Sequence, residues 1–113
     1  MIAGLLALSK NAISEDIFID PGPDAHERLQ EAMILMNNGD TLIIRSGYYS
    51  FEDGLSLDID NVTIKGEGMN ETILDFKNQQ SGAQGFLVTS NKVTLKDFAI
   101  MDAKGDALKV IGS

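Results

Sequence analysis

The sequence predicts an all-β domain built as a coil of stacked parallel strands, with one α-helix covering its amino-terminal end. Three observations lead to that class. Residues 54–66 match residues 85–97 at a constant offset of 31, so the chain repeats itself. A strand of the form apolar-x-apolar-basic occurs three times, at 42–45, 62–65 and 93–96, the first two at an offset of 20. Helical periodicity appears once, ahead of all three, and no segment after Asp40 sustains it over ten residues.

Composition sets the outer bounds. The chain has 113 residues, 43% of them apolar, which is enough core-forming material for one compact domain and excludes disorder through lack of it. Nine basic side chains stand against 17 acidic ones, a net charge of -8, so no nucleic-acid partner is expected. The absence of cysteine excludes disulfides, zinc-thiolate sites, iron-sulfur ligation and thiol catalysis together.

Taken in order, residues 2–8 form an apolar run far shorter than the roughly 18 to 20 residues that span a bilayer, so no membrane span is expected. With small residues at Ala12 and Ser14, residues 1–14 read as an export signal or a disordered leader, the n-region lacking Lys and Arg. A signal would leave a mature chain beginning near Glu15. Residues 17–19 read as a short strand, stopped by Asp20-Pro21-Gly22-Pro23. Asp24 with Glu27 has the form of a capping box, and Ala25, Leu29, Ala32, Met33 and Met36 recur at helical spacing until Asn38-Gly39, a helix of about 14 residues. Leu29, Met33 and Met36 are the expected cap face, methionine being suited to an irregular surface.

Strands follow at 41–45, 55–59, 62–65, 72–76, 86–89, 93–96 and 107–111, each bounded by Gly, Asn, Asp or Ser. Unequal offsets suit a coil whose turns accept insertions, and the extra residues fall in the polar stretch 77–84. Stacking at those offsets places Leu42, Val62 and Val93 in one core column and Ile44, Ile64 and Leu95 in the next. An antiparallel sandwich is the rival architecture, but no Asn-Gly or Asp-Gly joins two strands at hairpin spacing.

The runs at 39–49, 61–68 and 72–75, with the helix before them, resemble the opening coils of right-handed parallel β-helix proteins of the pectin lyase-like superfamily, a likeness that covers residues 24–113. The resemblance implies a solenoid of about three coils capped by the helix, exported to the periplasm, cell surface or medium, and related to carbohydrate. It leaves the full-length protein as a polysaccharide lyase, hydrolase or epimerase, or as a non-catalytic solenoid such as a periplasmic maturation factor or surface adhesin. Superfamily members run on for many coils, with catalytic groups on the middle ones. Residues 15–113 are therefore expected to be an amino-terminal portion without a complete active site, open to self-association through its carboxyl-terminal edge.

Candidate binding residues come from the repeat. Arg45, Lys65 and Lys96 occupy one motif position and, stacked outward, form a basic ladder on an acidic protein. Such a ladder either meets an anionic partner such as a uronic-acid polymer or is neutralised by Glu67, Asp97 and neighbouring turns. Tyr48 and Tyr49 could stack on a sugar ring or brace a turn. Asp97, Asp102 and Asp106 offer oxygen ligands for calcium but lack EF-hand spacing, and no cofactor is expected. Asp58 and Asp60 share a strand face without the marks of an acid-base pair, and no catalytic residue is assigned. His26, the only histidine, has no partner at metal or triad spacing. Gly66-Glu67-Gly68 precedes no helix, so it is no phosphate cradle.

Overall fold

The computed structural model describes residues 14–80, 85–102 and 108–111. The expected leader, apart from Ser14, and the candidate ligand Asp106 lie outside the described residues.

Ten strands and one helix follow in the order β1 (Asp16–Ile19), α1 (Ala25–Leu35), β2 (Thr41–Ile44), β3 (Gly47–Ser50), β4 (Leu55–Leu57), β5 (Thr63–Lys65), β6 (Thr72–Asp75), β7 (Phe86–Val88), β8 (Thr94–Lys96), β9 (Ala99–Met101) and β10 (Leu108–Val110). They form three sheets, ordered β1-β2-β5-β8, β3-β6-β9 and β4-β7-β10. Every pairing among the described residues is parallel, and from β2 onward each strand pairs with the one three places further along. Consecutive strands thus belong to different sheets, which the chain visits in rotation. An antiparallel sandwich would pair sequence neighbours through hairpins, and the parallel register removes it.

Left-handed turn residues hold the register. Gly39, Asn61 and Lys92 have φ of 92°, 59° and 56°, and each sits two residues before a strand of the first sheet. Their spacing matches the observed pairing of Thr41 with Thr63 and of Thr63 with Thr94. The second step, from Thr63 to Thr94, is the one the long repeat implies. The first, from Thr41 to Thr63, is two positions longer than the match of 42–45 with 62–65 implies. Leu42 therefore lies over Ile64 and Ile64 over Leu95, with Ile17 on the far side of Leu42. The expected columns are corrected accordingly. Aligning Arg45 with Lys65 matched the basic residues at the cost of the turns, and the turns decide.

Asp40 occupies the place that Val62 and Val93 take further on, and it is buried. Its two carboxylate oxygens accept from the backbone amides of Glu15 at 3.0 Å and Asn37 at 2.8 Å. A buried charge is tolerable only when paired in this way. The arrangement ties the start of β1 to the end of α1.

The helix covers the amino-terminal end through Ala25, Leu29, Met33 and Met36, all buried against the core. It has 11 residues rather than about 14, because Met36 already has extended backbone with φ -69° and ψ 156°. Asp24 makes no side-chain capping bond. It pairs instead with Arg28 at 3.0 Å, and Arg28 also donates to the carbonyl of Asp20 at 3.0 Å, a fork that an arginine one turn on can reach. His26 stands edge-on to Phe51 at 5.0 Å, and Phe51 stacks on Phe76 at 4.7 Å, so the histidine is part of an aromatic column.

Candidate functional site

The outer surface of the first sheet carries two rows. Ile17, Leu42 and Ile64 point inward, so alternation turns Phe18, Ile43, Lys65 and Lys96 outward in one row and Asp16, Thr41, Thr63 and Thr94 in the other. Lys65 and Lys96 are direct cross-strand partners, on backbones about 4.8 Å apart. Arg45 is not above them; Ile43 is. Arg45 lies beyond the end of β2, pairs with Asp20 at 3.3 Å and holds its guanidinium 4.6 Å above the Phe18 ring. The expected ladder of three therefore has two rungs.

Neither lysine has a carboxylate within ion-pair distance among the described residues. Glu67, one expected neutraliser, is engaged elsewhere: its Oε1 accepts from the Ser46 amide at 2.5 Å and the Ser46 hydroxyl at 3.0 Å. Those two bonds, with Arg45 nearby, hold its carboxyl below its ordinary range. Two lysines paired across neighbouring strands of a chain of net charge -8 form a local cationic point.

The β3-β6-β9 sheet separates the two tyrosines, since adjacent strand residues face opposite sides. Tyr49 points inward and is 1% exposed. Its hydroxyl reaches the carbonyls of Arg45 at 2.7 Å and Ile19 at 3.2 Å, and burial pushes its phenol up to about 12. It braces the corner and cannot touch a ligand. Tyr48 points outward, is 51% exposed, and donates its hydroxyl to Asp75 Oδ2. That bond to an anion holds the phenol above its ordinary value, because losing the proton would set two negative charges together.

Asp75 shares the outward side with Tyr48 yet is only 2% exposed. Besides the phenol it accepts from the Lys77 amide at 2.9 Å, and its Oδ2 lies 3.9 Å from Lys77 Nζ. Beside it, Asn78 Nδ2 donates to Ser50 Oγ at 3.1 Å. Asp75, Lys77, Ser50 and Asn78 were not among the sequence candidates. The one available signal was a carboxylate inside the apolar strand 72–76, two residues before a lysine.

The remaining carboxylates hold turns. Asp58 Oδ1 accepts from Thr89 Oγ1 at 2.9 Å and Asp60 Oδ1 from the Asn91 amide at 2.8 Å, so each serves the next turn rather than the other. Asp97 and Asp102 stand at left-handed corners with φ of 64° and 54°, and among the described residues no three His, Cys, Asp or Glu side chains converge on a metal position. A shallow groove of about 570 Å³ runs along α1, where Ile34 and Leu35 give it an apolar side and Glu27, Glu31 and Asp53 make it unsuited to an anion. No helix among the described residues is long and apolar enough to cross a membrane.

No family model matches the chain, and no curated protein matches it in sequence. Among solved structures, that of the PL6 family alginate lyase AlyGC is similar, with a TM-score of 0.57 and 17% identity over 85% of this chain. The chain spans 15% of the length of that lyase. At this identity the likeness establishes the fold alone, a β-helix-like stack of parallel sheets.

Proposed function

We propose that this chain forms the amino-terminal windings, about three of them, of an exported right-handed parallel β-helix protein that binds or modifies an acidic polysaccharide. The observation that carries the reading is the Lys65 and Lys96 pair, an unneutralised cationic point on the outer face of an otherwise acidic stack. A polymer with one carboxylate per sugar supplies the counter-charge that the protein does not. The likeness to an alginate lyase supports the same class of partner, on fold analogy alone. Within this stretch the role is binding rather than catalysis, because Asp58 and Asp60 are committed to the turns they hold.

Retention on immobilised polyuronate tests the reading. Lys65→Glu combined with Lys96→Glu should reduce retention by about tenfold at low salt, with the difference shrinking as salt rises. Unchanged retention would show that this face does not bind the polymer.

A further inference from the structure

We propose that the outer face of the β3-β6-β9 sheet is a second contact, a subsite for a single hexuronate residue, with Tyr48 as the stacking surface and Lys77 as the partner of the sugar carboxylate. This rests on the acidic-polysaccharide reading above and names a different face of the molecule.

The contrast between two neighbouring tyrosines points to this face. Tyr49 does what a bracing tyrosine does, with ring and hydroxyl both enclosed. Tyr48 is fastened at its tip by a hydrogen bond. Its hydroxyl is held by a carboxylate that is 2% exposed, while about half of the side chain stays open to solvent at 51% exposure. An aromatic side chain has few torsions, and anchoring the hydroxyl removes the remaining freedom before a ligand arrives, so little ordering entropy is left to lose on binding. Asp75 is itself held by the Lys77 amide and faces the Lys77 ammonium, so the anchor of the ring is fixed as well.

The surroundings suit a sugar acid. Ile73, the cross-strand partner of Tyr48, is half-buried, and Ala99 follows it in the same row, so the apolar floor continues sideways without a bulky obstruction. Lys77 is largely exposed, and its Nζ stands 3.9 Å from Asp75 Oδ2, the far limit of an ion pair. Asp75 already accepts from the Tyr48 hydroxyl and the Lys77 amide, so the ammonium keeps donors for a second carboxylate. Ser50 and Asn78 add a hydroxyl and an amide at the rim, groups that hydrogen-bond sugar hydroxyls. The surface thus joins an apolar plate to one exposed cation, whose partner carboxylate Asp75 is buried, and to neutral polar groups at the rim, with Glu52 beyond Ser50 limiting an acidic sugar to the Lys77 side.

The test uses the 113-residue chain with a uronic-acid trisaccharide and its neutral, carboxyl-reduced counterpart, titrated by calorimetry or chemical-shift change. The expected results are a preference for the acid form, a loss of roughly tenfold in affinity for both sugars in Tyr48→Ala, and a change within about threefold in Tyr48→Phe, which keeps the ring. Lys77→Gln should abolish the preference and leave the neutral sugar unaffected. The Phe and Gln variants carry the test if Tyr48→Ala fails to fold. Equal affinity of wild type and a folded Tyr48→Ala for the acid trisaccharide, or a preference that survives Lys77→Gln, overturns the subsite. Should the trisaccharide bind nowhere while polymer retention still depends on Lys65 and Lys96, the subsite falls and the polysaccharide reading stands. Failure of wild type to retain polyuronate at all removes both.

Discussion

Replacing Gly66 by alanine should cost the fold about 3 kcal/mol, and the sign of that number tests the stacking itself. Gly66 does not have a positive φ, so alanine meets no backbone penalty there. In an open site the change would instead stabilise, by about 0.4–1 kcal/mol, through loss of freedom in the unfolded chain. The obstacle is the neighbouring layer of strands. A Cβ at this position would sit 2.3 Å from the Asp97 carbonyl oxygen, 2.7 Å from Thr72 Cβ and 2.9 Å from Thr72 Oγ1. The carbonyl is backbone and cannot rotate aside, and Thr72 is buried, accepting from the Glu67 amide at 2.9 Å and donating to the Ile44 carbonyl at 3.0 Å. Overpacking costs about 1–3 kcal/mol, and weakening two hydrogen bonds adds about 0.5–1.5 kcal/mol each, against the modest entropic gain. Urea unfolding followed by circular dichroism should show a lower midpoint at unchanged slope, and the thermal midpoint should fall by roughly 10–20 °C. Gly39→Ala is the control, since its φ of 92° brings only local strain, about 1–2 kcal/mol, with nothing nearer than Ser14 Cβ at 3.7 Å. A Gly66→Ala protein as stable as wild type would mean that β5 and the Asp97 corner are not in contact, and the parallel stack would be refuted.

Truncating the cap face should be as damaging: Leu29→Ala and Met33→Ala are each expected to lose about 2–5 kcal/mol by denaturant unfolding, and losses below about 1 kcal/mol would show that the helix does not close the core. Glu67 gives a pH signature. Its carboxyl is depressed in the folded chain by the Ser46 bonds, so its contribution is present above the ordinary carboxylate value of 4.5 and disappears as pH falls through the depressed folded value. The gap in thermal midpoint between wild type and Glu67→Gln should accordingly be open at pH 7 and close in acid; a gap independent of pH would assign the effect to something other than charge. Among the described residues, the edges of β8, β9 and β10 present unpaired backbone beside exposed Met101, Leu108 and Val110. Sedimentation should therefore find association that grows with concentration, whereas a monomer at high concentration would contradict that expectation.

Legibility followed the length of the repeat. The longer match, of 54–66 with 85–97, runs through strand and turn together, and it places Lys65 beside Lys96 and Ile64 beside Leu95 as observed. The shorter match, of 42–45 with 62–65, rests on four strand residues of the form apolar-x-apolar-basic and takes in no turn. It missed by two positions, putting Arg45 on a lysine row that it leaves for Asp20 and Phe18. Two strands went unread for local reasons. β3 begins at a glycine that reads as a turn, and β9 follows β8 after only Asp97 and Phe98, where the left-handed Asp97 makes a corner too short to show as a loop. Missing β3 also hid the site. Strand alternation would have sent one of Tyr48 and Tyr49 inside, but the partnership of Tyr48 with Asp75 exists only because β3 pairs with β6, and no local pattern encodes that.

The Asp40 carboxylate gives the molecule a direction. Where Val62 and Val93 precede β5 and β8 and offer a neutral surface on which another layer could rest, the place before β2 offers an anion whose oxygens are both taken by amides of Glu15 and Asn37. A layer added on that side would have to displace those amides and strand the charge. Engineered extension of the domain, by inserting copies of the unit that separates Thr63 from Thr94, is therefore expected to be tolerated after β5 rather than before β2.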